Sequence, residues 1–206
     1  YIGDSIFALF GAPAEDLDHA RSAVHAALEC RARLEELNRS NSSFRGERLA
    51  HRIGLNSGEA LVGNIGSRRR FNYTVMSDAV NVASRLEGAN KYFDTSIMAS
   101  ETTVALTGET FAWRELDAIR VKGRADPVKI YEPLADAGQQ TPEQSRIAAA
   151  YAEGLALWRA RQFEHAKECF DRVADGDPPS ALFSRRARQL AANPPPQDWV
   201  PVNVLE

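Results

Sequence analysis

The sequence contains few cysteines, and their number and positions argue against both a disulfide-stabilised domain and a zinc-stabilised domain. Cys30 and Cys169 are the only two among 206 residues, and they lie far apart on stretches with a helical pattern. Neither forms part of a run with metal-ligand spacing. We therefore expect two free thiols, buried or half-buried, in a reducing compartment, and neither a disulfide framework nor a zinc site.

Long apolar runs, signal sequences and an excess of one charge are also missing. No stretch of about 18 apolar residues occurs, and no basic start leads into an apolar core with a cleavage site. The chain has 25 Lys and Arg against 28 Asp and Glu, for a net charge of -3, which predicts no general attraction to nucleic acid. We expect a cytoplasmic domain. Because the chain begins at Tyr1 inside a strand-like stretch, we also expect upstream residues, and only these would provide a sensor or an anchor in a bacterial inner membrane.

The apolar content is high enough for one full core with a small appendage. Hydrophobic residues make up 44% of the sequence, so one or two domains are expected. Apolar residues at a spacing of three to four predict helices, and short apolar or alternating runs predict strands. The strands are expected near 5–10, 51–56, 58–66, 71–75, 96–99, 111–121 and 128–134, and the longer helices near 16–38 and 77–90.

The composition changes after Ala135, where a polar stretch ending in Pro142 indicates a boundary. Helical periodicity follows, and the Ala166 to Phe170 step resembles one tetratricopeptide unit. A single unit of this kind cannot form a solenoid, so we expect it to pack on the rest of the chain or on a partner. The expected divisions are a first domain at 1–135, a helical extension at 142–193 and a proline-rich tail at 194–206.

Five short fragments occur in an order and spacing that resemble one family, the class III adenylate and guanylate cyclases. Each is weak alone, but their shared order and spacing make a chance match improbable, and the resemblance covers roughly residues 1 to 134. They are Tyr1-Ile2-Gly3-Asp4, Gly54-Leu55-Asn56-Ser57-Gly58, Val62-Gly63-Asn64-Ile65-Gly66, Tyr73-Thr74-Val75 and Asn81-Val82-Ala83-Ser84-Arg85. The later helices resemble, more loosely, the tail of bacterial adenylate cyclases with an upstream CHASE-type sensor.

The resemblance implies a fold and a reaction. The fold would be α+β, with a ferredoxin-like cyclase core and a C-terminal helical extension. The reaction would be attack of the ribose 3'-hydroxyl of ATP on its own α-phosphate, giving cyclic AMP and pyrophosphate. Two divalent ions, Mg2+ or Mn2+, would assist, because such hard cations neutralise phosphate charge and activate a hydroxyl. Members of this family work as head-to-tail dimers, so we expect a homodimer with active sites at the interface.

The resemblance also assigns roles to five residues of this chain. Asp4 matches one of two metal-binding aspartates. Asn81 matches the residue that orients the ribose, and Arg85 matches the one that stabilises charge on the phosphates; being four apart on a predicted helix, the two share a face. Thr74 matches a purine-reading position, and Lys122 matches a lysine that reaches the triphosphate.

Each of these residues also has a simpler interpretation. Asp4 could merely end a strand, and Arg85 could pair with a surface carboxylate such as Glu87 or Asp78. Thr74 could reflect ordinary strand preference, and Lys122 could be a solvated hairpin lysine. Ser77 stands where the family usually has glycine, and serine there is a competent helix N-cap unless the backbone needs a positive φ.

Three alternative functions stay open at this point. A guanylate cyclase would use the same chemistry on another base, and a silent cyclase homology domain would act in dimerisation or nucleotide sensing. Residues 142–193 could also form an independent protein-binding module. No residue of the chain matches the first metal aspartate of the family, so we expect residues 1–206 alone to be inactive.

Overall fold

A computed structural model describes residues 5–40, 47–67, 70–120 and 126–204 of the chain. Among them are six α-helices: α1 (His19–Arg39), α2 (Asp78–Phe93), α3 (Glu101–Thr107), α4 (Pro142–Arg159), α5 (Phe163–Asp171) and α6 (Pro178–Ala192). The strands are β1 (Ile53–Leu55), β2 (Leu61–Ser67), β3 (Arg70–Met76), β4 (Ile97–Ser100), β5 (Phe111–Arg120), β6 (Val128–Asp136) and β7 (Asn203–Val204).

Five of these strands form one mixed sheet, in the order β1-β4-β6-β5-β7. β1 runs parallel to β4, and β6 pairs antiparallel with both β4 and β5. β2 and β3 form a separate antiparallel hairpin that leads directly into α2. The predicted α+β class is confirmed, and so are the strands predicted from residue 51 to residue 134 where the structure describes them.

One continuous core joins the sheet to α2 and to the three C-terminal helices, α4, α5 and α6. Val82, Leu86 and Phe93 of α2 belong to the same buried cluster as Leu116 and Ile130 of the sheet. The cluster continues into the C-terminal helices through a set of buried aromatic and small residues: Tyr151, Leu155, Trp158, Phe163, Ala166, Phe170, Phe183 and Ala187. Residues 142–193 therefore pack on the sheet, and they share its core.

The proline-rich tail also returns to the body of the protein. The guanidinium of Arg161 donates hydrogen bonds to the carbonyl oxygens of Pro195 and Pro196, at 2.5 and 2.8 Å. Trp199 then packs edge-on against Trp158, with ring centroids 5.7 Å apart. β7 follows and pairs with the outer edge of β5. The tail thus covers one end of the aromatic core and extends the sheet by one short strand.

Two predictions are wrong. Residues 6–10 form no strand, and Ile6 and Phe7 are 75% and 42% exposed, because this segment pairs with no strand in the described part of the chain. An apolar run without a pairing neighbour cannot satisfy its backbone polar groups as a strand. Cys30 is a free thiol, as expected, but it is exposed, because the buried face of α1 consists of Ala20, Val24 and Ala27. Cys169 is free and buried.

No helix within the described residues has the length and apolar character needed to cross a bilayer.

Candidate active site

Thr74 lies on the exposed hairpin, just before the chain enters α2. In the register of β2 and β3 it stands opposite Gly63, and its side chain is exposed. Gly63 has no heavy atom within 4 Å of where a β-carbon would be, so the surface beside Thr74 is open. A hydroxyl here can both donate and accept a hydrogen bond.

Ser77 forms the junction between β3 and α2. Its hydroxyl accepts a 3.0 Å hydrogen bond from the backbone amide of Ala79, which is the N-cap interaction predicted from the sequence. The same hydroxyl donates to the carbonyl oxygen of Glu59. The backbone φ of Ser77 is -168°, an extended conformation that any residue adopts. Serine in place of glycine therefore introduces no strain.

Asn81 and Arg85 lie on the exposed face of α2, one turn apart. The opposite face is buried through Val82, Leu86 and Phe93, so the helix can present only its polar side to solvent. Arg85 makes no hydrogen bond or ion pair with any residue that the structure describes. Glu87, one of the two carboxylates considered as its partner, instead accepts a 2.9 Å hydrogen bond from Arg52. The guanidinium of Arg85 is therefore available to a ligand.

Two asparagines hold α2 in place, one near each end. Asn56 donates a 2.9 Å hydrogen bond to the carbonyl oxygen of Ala79 in the first turn. Asn56 itself accepts a 2.6 Å hydrogen bond from Ser100 at the end of β4. Asn90, fully buried in the last turn, donates a 3.0 Å bond to the carbonyl oxygen of Ile53 on β1. These bonds fix the helix that carries Asn81 and Arg85.

Sequence reasoning did not assign a role to either asparagine. Asn56 belongs to the fragment Gly54-Leu55-Asn56-Ser57-Gly58, so a signal was present, although that fragment was interpreted only as part of the family pattern. Asn90 carries no local signal, because its bond to Ile53 joins residues 37 positions apart. Such a contact becomes visible only when the helix is packed on the sheet.

The remaining two predicted site residues, Asp4 and Lys122, lie outside the described residues. Within the described part no three His, Cys, Asp or Glu side chains gather into a group that could hold a metal ion. Thr74, Asn81 and Arg85 thus lie on one continuous segment, β3 to α2, and all three are exposed.

A large groove elsewhere on the molecule contains none of the predicted site residues. Its volume is about 680 Å3, and it lies between α1 and the C-terminal end of α2, with Arg31, His51 and Lys91 among its lining residues. Burial and the nearby charge of Arg31 lower the pKa of His51. The exposed face of α2 near its N-terminal end is therefore the better candidate for the functional site.

A family model described as the adenylate and guanylate cyclase catalytic domain matches residues 1–132. Adenylate cyclase 1 of Rhizobium meliloti is 42% identical over 130 residues, which cover 63% of this chain and 20% of that protein.

Two solved structures are similar in both sequence and fold. The guanylyl cyclase Cya2 is 33% identical with a TM-score of 0.57, over 68% of this chain and 70% of that one. The adenylyl cyclase CyaB from P. aeruginosa is 30% identical with a TM-score of 0.53, over 64% and 67%. The chain spans between 9% and 27% of the length of the curated adenylate cyclases it matches.

Proposed function

The chain belongs to the adenylate and guanylate cyclase catalytic domain family, and we propose that it acts within an adenylate cyclase that makes 3',5'-cyclic AMP for signalling. The observation that carries the proposal is the exposed side chain of Arg85, which pairs with no carboxylate in the described part of the chain and lies one turn after Asn81 on a helix fixed at both ends. An anionic substrate can occupy such a surface without displacing an ion pair between described residues.

The proposed reaction is an intramolecular displacement at phosphorus. The ribose 3'-oxygen of ATP forms a bond to the α-phosphorus, and the bond from that phosphorus to the oxygen bridging to the β-phosphate breaks. Pyrophosphate leaves with the bonding electron pair, and the proton of the 3'-hydroxyl passes to solvent. Negative charge builds on the phosphate oxygens during the transfer, so donors aimed at those oxygens accelerate it.

In this proposal Arg85 donates to the phosphate oxygens, and its planar, permanently charged group suits that task. Asn81 orients the ribose through its amide. Lys122 would supply a mobile positive charge to the triphosphate. These assignments rest on the family resemblance, and the exposure of Asn81 and Arg85 supports them.

Divalent metal ions, two by the family resemblance, are also part of the proposal. The described residues do not form a metal site by themselves, so a site would need Asp4 together with ligands beyond those residues. When bound, Mg2+ or Mn2+ would neutralise phosphate charge and make the hydroxyl more acidic. Carboxylate oxygen is the ligand type that these hard cations prefer.

Adenine is the proposed base because Thr74 can both donate and accept at the purine-reading position. The adenylate cyclases of Rhizobium meliloti and P. aeruginosa support this choice by their similarity to the chain. Guanine is the second candidate, since the guanylyl cyclase Cya2 is 33% identical over 68% of the chain. A silent domain that only binds nucleotide or dimerises is the third.

We further propose that two copies assemble head to tail, so that Asp4 of one copy meets Thr74, Asn81, Arg85 and Lys122 of the other. The exposure of Thr74, Asn81 and Arg85 in the single chain is compatible with a shared site. The proposed organisation is a cytoplasmic catalytic domain at 1–135, a tetratricopeptide-like extension at 142–193 and a tail at 194–206.

The test is to assay the natural full-length protein with ATP and with GTP, in Mg2+ and in Mn2+. Cyclic AMP as the main product supports the proposal, cyclic GMP supports the second candidate, and no product from either contradicts both. Residues 1–206 alone should be inactive, because nothing in them matches the first metal aspartate.

Arg85→Ala tests the role of the arginine. In the natural full-length protein it should lower kcat by about 100-fold while KM changes much less, as expected for a group that acts in the transition state. Arg33→Ala, which removes an exposed charge on α1, is the control. Equal losses of binding and turnover in Arg85→Ala would contradict the assignment.

A further inference from the structure

α2 is fixed against the sheet on one side, and its C-terminal end is also covered by α6. Leu86, Ala89 and Phe93 of α2 share the buried core with Phe183 and Ala187 of α6. Beyond this apolar contact, one polar side chain of α6 reaches α2. It is Arg186, whose guanidinium carbon lies 4.7 Å from the centre of the Tyr92 ring.

Arg186 is enclosed by three elements of the fold. Its side chain is 14% exposed, and its guanidinium also lies 5.2 Å from the ring of Phe183 on its own helix. On the sheet side, one guanidinium nitrogen is 3.7 Å from a carboxylate oxygen of Asp117, a fully buried residue of β5. Arg186 therefore joins α6, β5 and the last turn of α2 at a single point.

The ion pair of Arg186 with Asp117 is weak. The 3.7 Å contact with Asp117 is too long for a good hydrogen bond, and the nitrogen that makes it has no hydrogen-bond partner among the described residues. Burial lowers the pKa of Arg186 to about 10, which leaves it charged at neutral pH. Apolar residues of similar volume are often as stable as a buried ion pair, or more so. The contact that the arginine makes with α2 is its guanidinium over the Tyr92 ring, a cation–π arrangement that an apolar side chain cannot make.

We propose that Arg186 is a positioning residue for the cyclase site: it holds the C-terminal end of α2 against β5 and α6, and so sets the positions of Asn81 and Arg85. The inference rests on the proposed function. Tyr92 lies seven residues after Arg85 on the same helix, about 10 Å along its axis, so a tilt at Tyr92 moves the guanidinium of Arg85. The C-terminal extension thereby becomes part of the catalytic architecture.

The test compares variants in the natural full-length protein, with kcat and KM for ATP measured together with thermal stability. Arg186→Met should lower kcat about tenfold and leave KM within about twofold, because misplaced catalytic groups slow the chemical step more than they weaken binding. Arg186→Lys keeps a cation over the ring and should recover part of the loss. Arg185→Met, which removes the neighbouring exposed charge on α6, should match the wild type.

A second set of variants separates positioning from folding. Arg186→Met alone leaves the carboxylate of Asp117 buried without a nearby cation, and adding Asp117→Asn removes that carboxylate. The double variant should therefore fold and still show a kcat about as low as that of Arg186→Met. Tyr92→Leu should lower kcat by a similar factor, and Tyr92→Phe, which keeps the ring, should restore most of it.

The proposal is overturned if the double variant turns over ATP at the wild-type rate. It is equally overturned if the loss of kcat only follows the loss of folded protein. A wild-type protein without cyclase activity would instead contradict the proposed function itself, so the two failures can be told apart.

Discussion

The carbonyl oxygen of Ala83 on α2 lies 2.0 Å from the position that a β-carbon on Gly54 would occupy. The amide nitrogen of Glu87 lies 2.4 Å from the same point. Both atoms belong to the backbone of α2, so no side-chain rotation can relieve the overlap. α2 can pack this closely on β1 only because residue 54 has no side chain.

Gly54→Ala should therefore destabilise the chain by about 3 kcal/mol, because α2 must move away from β1 to make room. Gly88→Ala is the matched control, since Gly88 lies on the exposed face of the same helix with no atom near its missing β-carbon. The control should gain about 0.5–1 kcal/mol from helix propensity. Urea unfolding of the three proteins measures both effects, and equal stabilities for the two variants would contradict the close-packing argument.

Local patterns in the sequence predicted the elements of this region well. Ser77 as an N-cap and the shared face of Asn81 and Arg85 follow from spacing alone, because helix geometry is local. The contact of Gly54 with Ala83 could not be predicted in this way. The partner of Gly54 depends on how α2 crosses β1, and the sequence around Gly54 carries no information about that crossing.

The segment 6–10 shows where local patterns fail. Its composition favours a buried strand, yet burial depends on a neighbouring strand, and composition carries no information about pairing. Polar contacts between residues far apart in the sequence could not be predicted either, because local patterns carry no information about distant partners. Arg114 and Asp177 are 63 positions apart, and nothing in either neighbourhood indicates the other.

Arg114 and Asp177 form a buried link between β5 and the start of α6. Arg114 donates a 2.7 Å hydrogen bond to Asp177, and the same carboxylate accepts from the backbone amide of Ser180 as the N-cap of α6. Arg114 also pairs with Glu132 on β6 at 2.5 Å. All three charged side chains are nearly buried, with exposures of 6%, 8% and 13%.

Asp177→Ala should destabilise the chain by about 3 kcal/mol, because it removes a cap and leaves part of a buried guanidinium unpaired. Glu36→Gln breaks an ion pair of similar length with Arg33, but that pair is exposed, so little change is expected. Denaturant midpoints of both variants provide the comparison. A small effect of Asp177→Ala, close to that of Glu36→Gln, would mean that α6 does not depend on this link.

Asp117 should make the stability of the chain depend on pH. Burial raises its pKa from 3.8 to about 7, against the opposing effects of hydrogen bonds from the Ala118 amide and Asn203 and of the charge on Arg159. Glu115 adds to the increase, and Arg186 lies 3.7 Å away. The folded state thus retains a proton that the unfolded chain releases near pH 4.

The sign follows from linkage: stability from this group is greatest below about pH 4, falls as the pH rises towards 7, and is level above that. Asp117→Asn has no proton to lose at this site. Its stability relative to the wild type should therefore increase between pH 4.5 and pH 8, which denaturant midpoints across that range measure. A constant difference between the two proteins at every pH would contradict the raised pKa.

A shared active site can be tested by mixing two inactive forms of the natural full-length protein. Asp4→Ala removes the proposed metal ligand, and Arg85→Ala removes the proposed phosphate donor. If each site takes Asp4 from one copy and Arg85 from the other, a heterodimer of the two variants contains one site with both residues intact and one with neither. Random exchange puts half of the dimers in this form, so the mixture should recover about a quarter of the wild-type rate.

The result depends on subunit exchange, which a pair of distinguishable affinity tags can establish by copurification. Arg85→Ala mixed with itself under the two tags is the control and should stay inactive, since every site in that dimer lacks the guanidinium. If the mixed sample is active and each variant by itself is inactive, residues from two copies must meet in one site. Heterodimers that copurify but make no cyclic nucleotide would show that Asp4 and Arg85 serve the same site within one copy. An active Asp4→Ala protein on its own would show that Asp4 has no part in the site.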